Sequence, residues 1–200
     1  MWRPYAPTWK RHQHHHPRTD RPSLPRSYNM AMPREVAVAI PVVHTSSSLN
    51  EAVSSGDLRV YLVSSRKHEG RFVLPKGGVE HGESSRQAAV RELWEEAGLI
   101  ADPSPSNTIS RCAPEQLIVD DHKPHKQSPV KHAHEPGFIA RARYSAHELV
   151  LTKQPAEHWP EAHERTRRTF TLREAERELE WRKDVHSLFK TWLAGIPSAP

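Results

Sequence analysis

Between Gly77 and Leu99 the chain reads GGVEHGESSRQAAVRELWEEAGL, a glycine-rich loop that runs into a segment crowded with acid. Ser84 followed three residues later by Gln87 is a capping-box pattern, so a helix is expected to start there. Gly98 is placed to end it in a left-handed cap. At helical spacing Ala89, Val90, Leu93 and Ala97 share one face, and Glu92, Glu95 and Glu96 gather on the opposite side. Like charges at i, i+3 and i+4 repel, each pair costing roughly 0.2–0.5 kcal/mol. A helix that accepts this repulsion gains something from it, and a hard divalent cation held by carboxylate oxygens is the simplest gain. The segment therefore constrains the chain to a fold that presents one acidic helix beside a glycine loop.

The residues before this segment carry the opposite charge. Val63 to Gly78 reads VSSRKHEGRFVLPKGG, with Arg66, Lys67, Arg71 and Lys76 leading directly into the acid. Lys76 stands between Pro75 and two glycines, where backbone can come close to a ligand. Cations beside a metal-binding helix suit a substrate rich in phosphate, held by lysine as a point charge and by arginine through forked contacts.

Gly77, Glu83, Arg91-Glu92-Leu93, Glu95-Glu96 and Gly98-Leu99 fill every fixed position of the Nudix box, and the chain resembles the Nudix hydrolases. The run LVSSRKHEGRFVLPKGGVE is similar to the diphosphoinositol polyphosphate phosphohydrolase branch, its fungal members especially. Members of that branch also cleave diadenosine polyphosphates and, in some cases, inorganic polyphosphate. The resemblance covers roughly residues 34–193. Trp159-Pro160-Glu161, the basic run Arg165 to Thr171 and Glu180-Trp181-Arg182-Lys183 continue it. One departure is that Arg34 is followed by Glu35, where the family usually carries a basic pair. A longer, His- and Pro-rich segment between the box and the late strand is the other.

The resemblance implies an α/β fold, the Nudix-type α/β/α sandwich around a mixed β-sheet. It implies that Glu95 is the general base, that Glu92 and Glu96 hold Mg²⁺ (with Mn²⁺ as the alternative), and that Glu83, Arg91 and Gly98 are structural. Arg91 is expected to pair with Glu83. Ser65, Arg66, Lys67, Lys76, Gly77, Gly78, Arg165 and Lys183 are the implied substrate-binding residues. The implied reaction is water attack at phosphorus in diphosphoinositol or diadenosine polyphosphates. Two alternatives stay open: a Nudix pyrophosphatase for RNA caps or nucleotide sugars, and a non-catalytic inositol-phosphate or RNA-binding module on the same scaffold. The expected partner is a polyphosphorylated small molecule acting on a monomer, with neither membrane nor obligate nucleic acid.

Length and composition set outer bounds. A chain of 200 residues holds one domain with a real core. A net charge of +5 suits polyanionic ligands without requiring nucleic acid. Cys112 is the single cysteine, so no internal disulfide can form and a reducing location, the cytoplasm with the nucleus as a second site, is expected. Residues 1–33 are rich in Pro, Arg and His without apolar periodicity and read as a disordered arm. Residues 34–194 form the expected domain and 195–200 a tail. The tract His12 to His16 reads as solvated low complexity. Strands are expected at 35–43, 58–63, 72–74, 116–119 and 138–151, with a loop at 75–78 and a Ser-rich loop at 45–55. Helices are expected at 172–181 and 185–192. His122, His125, His132 and His134 lack the spacing of a four-ligand zinc site.

Overall fold

The computed structural model describes residues 31–44, 57–104 and 117–196. Most of the expected N-terminal arm, the His12 tract, the Ser-rich loop, Cys112, Gln116 and the end of the tail lie outside the described residues. The elements in order are β1 (Arg34–His44), β2 (Leu58–Ser64), β3 (Phe72–Val73), β4 (Lys76–Gly78), α1 (Ser85–Ala97), β5 (Leu117–Asp120), β6 (Ala142–Val150), β7 (Arg167–Thr171), α2 (Leu172–Leu179) and α3 (Lys183–Ala194). No helix among the described residues is long and apolar enough to cross a membrane.

The sheet is organised around β1. One edge pairs in parallel with β6 from Arg34↔Ala142 to Val42↔Val150. The other edge is shared by two antiparallel partners, β4 against Val36–Val38 and β2 against Val42–His44. β2 and β4 thus share that edge of β1 without overlapping in register. β2 continues to β3 and β7, and β5 closes the far side on β6, all antiparallel. The sheet is thus mixed, in the α/β class.

Period-2 alternation along β1 divides the core in two. Val36, Val38, Ile40 and Val42 face a large cluster with Leu172, Ala175, Leu179, Val185, Leu188, Phe189 and Trp192 of α2 and α3. Ala37 and Ala39 face the other cluster with Ala88, Ala89, Leu93 and Ala97 of α1. Helices therefore cover both faces of the sheet. Alanine meets alanine under α1, so that helix lies close on the sheet.

The local reading of α1 holds in detail. The Ser84 hydroxyl accepts from Gln87 N–H at 3.3 Å, and Gln87 Oε1 accepts from Ser84 N–H at 2.8 Å. Thr171 and Glu174 make the same reciprocal cap at the start of α2. One expectation changes. Residues 76–78, read as loop from their proline and glycines, form β4, because their backbone completes the edge of β1 that β2 leaves uncovered. On α1, Glu96 is buried along with Ala88, Ala89, Leu93 and Ala97.

Gly98 ends α1 with φ 60°. A Cβ there would stand 2.8 Å from both Trp159 Cβ and an Arg167 Nη. Gly98→Ala is expected to lower stability by about 2 kcal/mol, from the left-handed backbone alone, with the clash adding to it. Urea denaturation of the two proteins measures this, and an unchanged midpoint would show that α1 ends differently.

Candidate active site

The C-terminal half of α1 carries Glu92, Glu95 and Glu96, in the part of a helix where the macrodipole already disfavours anions. The last turn of α1 contains no basic residue of its own. Compensation comes from outside that turn. Arg91 reaches across with its whole fork: Nη2 to Glu83 Oε1 at 2.7 Å, Nε to Glu83 Oε2 at 3.2 Å, and Nη1 to Glu92 at 2.8 Å and Glu95 at 3.1 Å. Its Nη2 also donates to the Gly78 carbonyl at 2.9 Å, tying α1 to β4. The Arg91 hydrogen bond holds the Glu83 carboxyl below the usual carboxylate range.

Glu92 lies against Gly77. Any Cβ at position 77 would run into the Glu92 carboxylate, so only glycine lets the two approach. Burial raises the Glu92 carboxyl, against the pull of Arg91. Burial likewise raises Glu96, opposed by the charges of Lys76 and Arg165. Glu96 Oε2 accepts from the Lys76 backbone N–H at 3.0 Å, and its other oxygen is ion-paired with Arg165. Glu95 is the most open of the three, its side chain 40% exposed.

Arg165, which the resemblance implies as a substrate-phosphate contact, is enclosed by carboxylates in the structure. Its side chain is only 5% exposed; it pairs with Glu96, donates to Glu161 Oε2 at 2.6 Å and to the Ser64 carbonyl at 2.9 Å. The sequence gives no sign of this burial, since a basic run looks solvated. Glu161, in the sequence simply the end of the Trp159-Pro160-Glu161 run, joins the cluster. It pairs with Arg66 at 3.3 Å, and its charge adds to the raising of Glu92. Its backbone N–H donates to the Glu95 carbonyl at 3.1 Å.

The remaining expected contacts divide. Lys76, Gly77 and Gly78 meet the cluster directly. Ser65, Arg66 and Lys67 sit on the loop between β2 and β3, which is pinned by Ser65 N–H to Arg71 O at 2.7 Å and by Arg66 to Glu164 at 2.9 Å. Lys67 is exposed, and so is Lys183 at the first residue of α3. The neighbour of Lys183, Arg182, is the cation whose charge reaches Lys76. The Arg182 Nε is buried without a hydrogen-bond partner among the described residues, and its Nη2 donates to Tyr144 Oη at 3.3 Å. Burial, with Arg182 and Arg165 as like charges, lowers the Lys76 ammonium to about 8 against the pull of Glu96. Arg34 lies against Gly78, where a Cβ would stand 2.9 Å from its guanidinium.

The donor set of Glu92, Glu95 and Glu96 is all carboxylate oxygen, which suits a hard divalent cation over a soft one. A second group, Asp121, His122 and Asp184, brings three potential ligand atoms within 4.8 Å of one another. There, however, Arg141 binds Asp121 at 2.6 Å, and His122 Nδ1 and Asp184 meet at 2.7 Å. The other three histidines do not join it.

Replacing Arg165 with Met leaves Glu96 buried beside no guanidinium. Breaking a buried pair in this way costs about 3–5 kcal/mol. Glu96 has a raised carboxyl in the fold, so the folded state of the variant binds the extra proton and the penalty shrinks as pH falls through the Glu96 titration. Arg165→Met is thus expected to be most destabilised at pH 7 and least near pH 5, and Arg165→Met/Glu96→Gln to regain much of the loss. Melting curves across pH check both.

A sequence model of the NUDIX domain matches residues 50–193. "Nudix hydrolase 4" of Arabidopsis thaliana is 32% identical over 148 residues, covering 74% of this chain and 60% of that protein, so the match leaves a substantial part of that relative unspanned. "Nudix hydrolase 16, mitochondrial" of the same plant is 29% identical over 158 residues, 76% of this chain and 77% of that one. Among solved structures, the C. elegans Ap4A hydrolase superposes with a TM-score of 0.50 at 17% identity, covering 82% of this chain and 98% of its own. That likeness shows the fold.

Proposed function

The chain belongs to the Nudix family, and on that premise we propose that it hydrolyses phosphoanhydride bonds in diphosphoinositol polyphosphates or diadenosine polyphosphates by attack of water at phosphorus. The observation that carries this reading is the meeting of Glu92, Glu95 and Glu96 with the cations Lys76, Arg165 and Arg182. An anion-binding module would have no use for the acid. A divalent cation, Mg²⁺ with Mn²⁺ as the alternative, would be held by Glu92 and Glu96 and would supply neutralisation of phosphate charge. Glu95, the carboxylate most open to water and oriented by Arg91 at 3.1 Å, takes the proton from the attacking water.

The rest of the site binds and orients. Arg91 fixes the helix to the loop. Arg165 serves the carboxylates, while Lys76 and Arg182 from within, and Arg66 and Lys67 from the loop between β2 and β3, grip the phosphates that do not react. Cations drawn from separate segments favour a substrate with many phosphates over one with two. The solved Ap4A hydrolase is a fold neighbour whose named substrate is itself a dinucleoside polyphosphate. RNA caps and nucleotide sugars remain the second reading within the same family.

Glu95→Gln is expected to retain fold and substrate binding and to lose about 10²–10⁴ in kcat, the range for a missing general base. A panel of diphosphoinositol pentakisphosphate, diadenosine hexaphosphate, capped RNA and ADP-ribose, run with and without EDTA, tests the substrate class. Activity confined to ADP-ribose or capped RNA would discard the polyphosphate reading, and full activity in EDTA would discard the metal.

Lys76 loses its charge as pH rises through about 8. Its contribution to phosphate affinity is therefore present below that pH and fades above it. KM for the polyphosphate substrate is expected to climb between pH 7 and 9, and Lys76→Met to hold a high KM throughout that range. A flat wild-type KM would place Lys76 outside the phosphate contacts.

A further inference from the structure

β7 forms an edge of the sheet. It pairs with β2, and among the described residues no strand lies along its other side. Ser64 N–H donates to the Thr166 carbonyl at 2.8 Å, in register with the ladder that runs on to Arg59↔Thr171. Antiparallel strands turn their backbone groups to the partner at alternate residues. Thr166, Arg168 and Phe170 therefore face β2, and Arg167 and Thr169 turn their N–H and C=O groups outward. Arg168 and Thr169 are also exposed.

Two grooves border this edge on opposite faces of the sheet. One, of about 490 Å³, is lined by Tyr61, Pro155, Arg167, Arg168 and Thr169. The other, of about 950 Å³, brings Thr171, Arg173 and Arg177 together with Arg59, Leu172 and Leu193. Tyr61 packs with the cluster under α1, whereas Leu172 and Leu193 pack with the cluster under α2 and α3. Across both grooves five arginines stand against two glutamates, Glu176 and Glu180. Arg168 lies over the Phe72 and Phe170 rings, 5.5 Å from each centroid. Neither Arg168 nor Arg173 makes an ion pair among the described residues. The edge thus combines outward backbone groups with positive charge that the fold leaves uncompensated.

We propose that the outer edge of β7 is a docking site for an acidic peptide in extended conformation, which joins the sheet as an added strand. Backbone bonds to Arg167 and Thr169 hold such a peptide, and its alternate side chains enter the two grooves. Acidic residues on the α2 face meet Arg173 and Arg177, and Arg168 meets them at the edge itself. A short strand bearing arginines refuses apolar and basic strands, which protects the edge from indiscriminate pairing. The same charge admits an acidic one. A second copy of this chain is not the occupant, because it would set the same arginines opposite one another. The surface uses none of the residues assigned to the reaction, so the proposal stands apart from the hydrolase reading.

The test titrates the full chain with a blocked peptide that alternates Glu and Thr, alongside a Lys/Thr peptide and an N-methylated Glu/Thr peptide. Amide hydrogen exchange, read residue by residue by nuclear magnetic resonance, reports the edge directly. With most of the protein occupied, the amides of Arg167 and Thr169 are expected to exchange about tenfold more slowly, and that of Arg168, already turned to β2, to change little. The Lys/Thr and N-methylated peptides should bind at least about tenfold more weakly than the parent. Arg168→Glu/Arg173→Glu should lose the acidic peptide and accept the basic one. Thr169→Pro removes an outward donor without removing a ladder bond, so it should lose the peptide while its melting curve stays close to that of the wild type. If Thr169→Pro does not fold, the N-methylated peptide decides the same question. Equal binding of the N-methylated peptide would reduce the edge to a basic patch that any polyanion, RNA included, can occupy, and would overturn strand addition. Equal binding of the Lys/Thr peptide, protection away from β7, or no binding at millimolar peptide would overturn it as well.

Discussion

Like-charge crowding at the end of one helix is the constraint on which the surrounding structure depends. Glu92, Glu95 and Glu96 stand where the helix dipole is negative, and burial makes two of them harder to ionise. The fold answers with guanidinium groups, each shared among several acceptors. Arg91 serves Glu83, Glu92 and Glu95, and Arg165 serves Glu96 and Glu161. A planar fork presents several donors in fixed directions, which suits arginine to bridging the carboxylates, while Lys76 adds a point charge beside Glu96 with its ammonium lowered by burial. Charges then alternate through the site: Arg66, Glu161, Arg165, Glu96 and Lys76.

Packing decides where that network stands. Ala37 and Ala39 on β1 and Ala88, Ala89 and Ala97 on α1 make much of the interface between helix and sheet from small side chains, with Leu93 as the large one that α1 contributes. The close seating brings Glu96 to the backbone of Lys76 on β4 and Glu92 to Gly77. A larger residue at either alanine layer would lift the helix and break contacts that involve no hydrophobic atom. Core and chemistry are therefore joined at the same interface, whereas the larger cluster under α2 and α3 is free to be filled by Leu, Phe and Trp.

Much of this was legible in the chain. The apolar content of β1, the two capping boxes, Gly98 and the spacing of the glutamates are local signals, and local signals survive folding. What failed to show was long-range. Residues 76–78 have the composition of a loop, and only the gap on the edge of β1 makes them a strand. Arg165 and Arg168 read alike in a basic run, but one is enclosed by Glu96 and Glu161 while the other lies over the Phe72 and Phe170 rings. Lys183 and Arg182 are adjacent in sequence, and the turn between α2 and α3 decides which of them feels Lys76. The Arg165 partner of Glu96 could not be read from the helix either, because an isolated helix has no way to announce a buried partner some seventy residues later.

The position of β1 bears on how the molecule comes into being. Its full-length neighbour is β6, with Arg34 beside Ala142, a separation of roughly a hundred residues, and the sheet's other long pairing joins β2 to β7. The organising strand is thus among the first described parts to be synthesised and among the last to be enclosed. Parallel pairing across such a loop is slow, because the entropy of closure is spent before any contact rewards it. Until β6 emerges, the run from Val36 to Val42 is an apolar strand with one edge bare, the kind of surface that invites pairing with another chain. The interval between translation of β1 and of β6 is where this protein is most exposed to aggregation.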